Sequence, residues 1–170
     1  MTAFTITVDD ARVMAYLGQL RAKSENMGPV LKSIGEDLVE STKQRFSTAT
    51  APDGTSWAAN SAVTISRYLG LARGSHNKDG SLSKKGEARQ AGKKPLTGET
   101  RALGSQIHYQ VIGNTLEVGS SMEYAAMQQF GGTRSEFPNL WGEIPARPFL
   151  GLSASDISGI NQTVLDYLNS

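Results

Sequence analysis

The stretch Ile107–Gly119, IHYQVIGNTLEVG, decides the class of fold. Ile107, Tyr109 and Val111 alternate with His108 and Gln110, the two-residue period of a strand with one buried face. Gly113-Asn114 then supplies a two-residue turn, and Thr115–Gly119 returns as a second strand, so the segment reads as an antiparallel hairpin. A lone hairpin is marginal in water and needs a helix or further strands against its apolar face. The rest of the chain has to provide that cover.

Upstream, two helices answer the need. Val13, Leu17, Leu20 and Ser24 recur at helical spacing behind Asp9 and Asp10, which predicts a helix over 10–24. Gly28-Pro29 breaks the chain and restarts it, and Leu31, Ile34, Leu38, Thr42 and Phe46 predict a second helix to about Phe46. Before both, Phe4, Ile6 and Val8 alternate as a short opening strand over Thr5–Val8. Ala51–Trp57, APDGTSW, is a turn in which proline fixes φ, Asp53 bonds the backbone ahead and Gly54 takes positive φ. Thr97, with Glu99 in the first turn, predicts a short capped helix presenting Leu96, Leu103 and Ile107.

Downstream of the hairpin, Tyr124–Phe130 reads as a short helix that Gly131-Gly132 ends in the αL manner. Ile144–Ser153, IPARPFLGLS, follows. Pro145 and Pro148 hold it extended, Phe149 and Leu150 anchor it, and Gly151 permits close passage. Arg147 is expected to point outward and pair with an acid of this chain or of a neighbour, the alternative being an internal brace. Ser153 or Ser155 then caps a last helix carrying Ile157, Ile160, Val164, Leu165 and Leu168. The expected fold is α+β: two N-terminal helices and a C-terminal helix packed on a small, mainly antiparallel sheet. A chain of 170 residues is one domain, 1–170.

Charge is uneven along this domain. Between Ser61 and Lys94 eight basic residues face two acidic ones, a balance of +6 that leaves −5 for the remainder of a chain with net charge +1. Gly70–Lys94 is rich in glycine, serine and lysine with little apolar spacing, so it is expected as a long mobile basic loop.

The sequence also narrows the chemistry. With no cysteine, disulfides, thiolate metal sites and cysteine nucleophiles are excluded. His76 lies in the basic loop and His108 on the polar face of its strand, so neither is expected to do acid–base work. No nucleophile elbow, His-Glu-x-x-His or phosphate-binding loop is present. Glu36, Asp37 and Glu40 read as a solvated helix face. The start of the chain lacks a basic, apolar leader and no run is long enough to span a bilayer, so the expectation is a soluble chain with no membrane partner. No enzyme activity, metal or cofactor is expected.

The order of landmarks carries a resemblance. Pro52-Asp-Gly-Thr-Ser-Trp57, Pro95-Leu-Thr-Gly98, Leu116-Glu-Val-Gly119, Tyr124-Ala125, Gln129-Phe-Gly131 and Ile144-Pro-Ala-Arg-Pro-Phe-Leu-Gly151, followed by Ser153 and Asp156, together resemble the phage virion morphogenesis family of tail completion proteins. The resemblance covers about 11–168, and the half from Tyr124 to Leu150 is more distantly similar to siphophage head–tail joining components.

It implies a structural protein of a phage or prophage, not an enzyme. Such a protein would be made in the host cytoplasm and act in the tail or neck of the virion, where it enables head–tail joining. The implied partners are copies of itself in a six-fold ring, tail terminator or tube proteins, and head-completion or connector proteins. Trp57, Tyr124, Phe130, Trp141, Arg147 and Phe149 are the expected interface residues. The competing reading is a nucleic-acid-binding packaging or regulatory accessory using the basic 61–94 segment. Its anion or DNA contacts would be Arg73, Lys78, Lys84, Lys85, Arg89, Lys93 and Lys94.

Overall fold

The computed structural model describes residues 10–98, 100–140 and 142–170. The predicted opening strand, Glu99 and Trp141 lie outside them. The described residues form an α+β fold of seven helices and one two-stranded antiparallel sheet.

The hairpin is the one expected: β1 Ile107–Ile112 pairs with β2 Thr115–Ser120 in a register that sets Tyr109 against Val118 and Gln110 against Glu117. Ile107, Tyr109 and Val111 face inward while His108 and Gln110 are exposed, as the alternation requires. Helix α2, Gly28–Thr48, lies across both strands. It packs very closely there: a Cβ on Gly35 would sit 2.4 Å from Cδ2 of Tyr109. Pro29 occupies the first turn, where its missing N–H costs nothing.

Helix α7, Ala154–Asn169, packs on α2, and α1, Ala11–Glu25, packs on α7. Ser153 caps α7 through a complete capping box with Asp156. At the other end of the layer, Lys23 Nζ donates to the Leu168 carbonyl at 3.1 Å and the Tyr167 hydroxyl to that of Asn26 at 2.6 Å. α1, α2 and α7 are the helices predicted there, but the stripe on α1 is not a core face: no residue of α1 is buried.

The core proper gathers Phe46 of α2, Ala51 and Trp57 of the turn, Leu103 and Ile107, Ala125 and Phe149. The Phe46 ring meets those of Trp57 and Phe149 at 5.4 Å each. The Ala51–Trp57 turn forms as read, with Asp53 Oδ1 accepting from the Thr55 amide at 2.9 Å and Gly54 at φ 85°. Its ends are tied by the Ala51 amide, which donates to the Thr55 carbonyl at 2.8 Å.

Three local expectations are corrected. Thr97 does not cap a helix; its hydroxyl donates to the Lys94 carbonyl, and α5, Ala102–Ser105, starts only after Arg101 in a left-handed conformation. Gly131, after α6 (Ala125–Phe130), has positive φ but ψ of −175°, so it is not αL; the chain leaves extended. The 70–94 stretch is not a loop without regular structure. It contains the end of α3, Ala62–Leu71, and all of α4, Lys84–Gly92, each capped by a serine, Ser61 or Ser83.

Candidate functional site

The centre of the molecule is the Ile144–Ser153 ribbon. It is seated by groups that substitute for sheet pairing, because its prolines cannot donate. The Arg147 amide donates to the Gln128 carbonyl at 2.8 Å, and Gln129 Oε1 accepts from both the Phe149 and Leu150 amides at 2.9 and 3.0 Å. Gln129 Nε2 returns a bond to the Leu150 carbonyl, so one side chain mimics a strand partner. Trp57 Nε1 donates to the Pro148 carbonyl at 2.7 Å. Gly151, at φ 144°, passes so close to Pro52 that a Cβ would sit 2.8 Å from its Cγ, which is the close passage the sequence predicts.

Two arginines lock this arrangement. Arg45 Nη1 bonds the Phe149 and Gly151 carbonyls, both at 2.9 Å, and its Nη2 meets Asp156 Oδ2 at 2.6 Å. The two side chains are only 7% and 8% exposed. Burial alone would raise the Asp156 pKa, but hydrogen bonds from Ser153 and Ser41 and the charge of Arg45 outweigh it and hold the carboxyl below its ordinary range.

Arg147 was expected to point outward at an acid. It points inward, its Nε donating to the Ala58 carbonyl at 2.8 Å and Nη2 to that of Ala59 at 2.9 Å. Burial pulls its pKa below the usual value. The reason is geometric: Pro145 and Pro148 fix the ribbon so that position 147 faces the 58–59 backbone, whose carbonyls have no strand to bond. It is the internal brace.

Trp57, Phe149 and Arg147 are thus all buried in this chain, whereas Tyr124 and Phe130 are 44% and 79% exposed. Arg45 and Gln129 were given no structural role by sequence reading. Arg45 carried a legible signal, since it falls on the apolar stripe of α2 in phase with Ile34, Leu38 and Thr42, where a charge needs a buried partner.

The basic residues divide. Arg89 Nη1 caps the Ala72 and Arg73 carbonyls and Ser75 Oγ, Lys93 lies 4.5 Å over the Tyr68 ring and bonds the Thr97 carbonyl, and Lys94 bonds the Ser47 carbonyl. Arg73, Lys78, Lys84 and Lys85 are exposed.

Two outer surfaces carry large apolar groups. On α1 and α7, Val13, Met14, Tyr16, Leu17, Ile157 and Leu165 are each about half exposed or more. Elsewhere a cleft of about 700 Å³ runs between α3, residues 93–98 and 100–103, α6 and the ribbon. Val63, Leu71 and Tyr124 stand exposed along it, and Arg147 lies in its wall. His76 and His108 are both exposed and outside the cleft, and among the described residues no cluster of three histidines or acids could hold a metal ion. No helix of the described residues is long and apolar enough to cross a membrane.

No curated protein and no solved structure matches the chain. The profile of one family matches residues 8–169, nearly the whole chain, and takes in every landmark around the ribbon. The chain belongs to the phage virion morphogenesis family, a structural family with a role in assembling the virion.

Proposed function

We propose that this protein is a tail completion or neck protein, which assembles at the head-proximal end of the tail and enables the tail to join a filled head. It acts by docking, without turning over a substrate. Its partners are copies of itself in a six-fold ring, the tail terminator or tube, and the head-completion or connector proteins.

The observation that carries this reading is the placement of apolar side chains. Large groups stand out on two separate surfaces, with Val63 at 64% and Leu71 at 68% exposed along the cleft and Met14 at 61% on α1. Surfaces of this kind mark docking sites. A protein that must contact more than one neighbour needs more than one such surface and a rigid body to carry them, and the Arg45 and Arg147 locks supply the rigidity. An accessory that binds nucleic acid has less to work with, because Arg89, Lys93 and Lys94 of the expected contact set already bond carbonyls of this chain.

The test is to delete the gene from the phage or prophage that carries it and image the lysate by electron microscopy. Full heads beside unattached tails are expected; normal virions in normal numbers overturn the proposal.

A further inference from the structure

The basic stretch that stands out in the sequence has no part in the core, yet it is held closely in place. The core cluster draws nothing from residues 72–92. Polar groups order them instead. Between α3 and α4 the chain doubles back as a tight hairpin, with a bridge between His76 and Leu82, the Asn77 amide on the Ser81 carbonyl at 2.8 Å and the Ser83 amide on that of Ser75 at 2.9 Å. Ser75, at the base, is 1% exposed; its hydroxyl accepts from Arg89 Nη1 at 2.9 Å, and a Cβ on Gly86 would sit 2.1 Å from its carbonyl oxygen. An excursion that is fixed in place without adding to the core is built for the surface it presents.

That surface is cationic and carries no apolar anchor. Arg73 stands at one foot of the hairpin and Lys84 and Lys85 at the other, the feet joined by the Ser83 hydroxyl, which donates to the Gly74 carbonyl at 2.7 Å. The Lys85 stem lies along Gly74, its Cδ 4.0 Å from where a Cβ would be. Lys78 sits in the turn between the feet. All four side chains are exposed, and among the described residues none of them makes a hydrogen bond or an ion pair. Of the two acids nearby, Asp79 is engaged by the Ser81 amide and hydroxyl, and Glu87 is exposed on α4. Across 72–92 five bases, Arg89 included, stand against these two acids, a balance of +3. No large apolar side chain of that range is exposed.

These features select the partner. A protein is held by apolar and aromatic anchors at the centre of the contact, and a single nucleic-acid strand by aromatic rings on which its bases stack. The tip offers neither, for 72–92 holds no Phe, Tyr or Trp, and Tyr68 on α3 is already covered by Lys93. The phosphates of a duplex ask only for cations and polar hydrogens. We propose that this tip contacts the phosphate backbone of double-stranded DNA through Arg73, Lys78, Lys84 and Lys85, without reading sequence, while Arg89 holds the hairpin in place. Four charges make a weak, salt-sensitive contact, too little for a DNA-binding accessory acting alone, and a ring would present it several times to one duplex. The contact does not depend on the assembly role proposed above, and it lies outside the cleft.

Fluorescence anisotropy of a labelled duplex of about 20 base pairs, titrated with the purified full chain between about 20 and 150 mM salt, tests it. Affinity should fall steadily with salt, with a log–log slope of about −3.6 for the four cations of one copy, and two unrelated sequences should bind alike. Lys84→Ala with Lys85→Ala should halve that slope and weaken binding at least about tenfold at the lowest salt, with an unchanged helical circular dichroism signal, since both positions are exposed. Glu87→Gln should tighten binding, because it removes a charge of the same sign as the phosphates. No binding at the lowest salt, a slope that the double substitution leaves unchanged, or a tip that ignores DNA and binds polyglutamate, as a contact for an acidic protein would, overturns the proposal. Each of these leaves the assembly role standing, because that role is judged separately by the deletion lysate.

Discussion

Arg147 and Arg45 hold the same ribbon by different means, and the difference is measurable. Arg147 meets only neutral carbonyls, so its removal takes charge-assisted donors from the Ala58 and Ala59 oxygens and empties a buried side-chain position. Arg147→Ala should lower unfolding stability by about 2–4 kcal/mol, read as a fall in the denaturant midpoint, and Arg147→Lys should recover only part because it lacks the fork. Arg45 meets Asp156, and there pH is the probe. The folded carboxyl lies below its ordinary pKa, so the stability it contributes is present above about pH 4, the unfolded value, and is lost as pH falls through the lower folded value. Asp156→Asn should therefore reduce the drop in stability on acidification. The drop should not vanish, since hydrogen bonds from Thr55, Ser81 and Thr133 also lower Asp53, Asp79 and Glu136. At neutral pH Asp156→Ala should cost about 3 kcal/mol, by leaving Arg45 buried without its partner. At this scale the sequence shows which residues matter better than what they touch. Proline spacing made the ribbon extended and Phe149 its anchor, but whether Arg147 turned in or out depended on the 58–59 backbone, which is remote in sequence.

At the scale of elements, contact distance separates glycines that look alike in the sequence. Gly35 in α2 is pressed against Tyr109 of β1, whereas a Cβ on Gly18 of α1 would meet nothing within 4 Å. Gly35→Ala should destabilise by about 1–3 kcal/mol through overpacking, while Gly18→Ala should stabilise by up to about 1 kcal/mol through helix propensity, both read from thermal midpoints. α2, the hairpin and α7 were legible because each is written locally: a stripe at three- and four-residue steps, an alternating pair around Gly113-Asn114, and a serine three residues before Asp156. α4 was not legible. Its sequence, KKGEARQAG, has almost no apolar residue, and it is held by its Ser83 cap, by Arg89 bonds to the end of α3, and by Gly86, whose missing side chain lets it lie against the Ser75 carbonyl. These are tertiary facts, and the local composition spoke for a loop.

For the whole molecule the division is between a small, well-locked centre and outer helices that expose apolar surface. The class of fold could be read from the hairpin and its flanking helices, and the order of landmarks pointed to the family. The exposed apolar surfaces could not, because a periodic stripe such as that on α1 predicts a covered face without saying whether this chain or another covers it. If docking is the activity, the protein should act stoichiometrically and from outside. The direct measurement is complementation: purified protein is added to a lysate from the gene deletion, and both joined particles and plaque-forming units are counted against the amount added. The account predicts that joined, infectious particles rise and then saturate at a fixed number of copies per tail. Heads and tails already joined before the addition, or no rise in titre at any amount added, would contradict it.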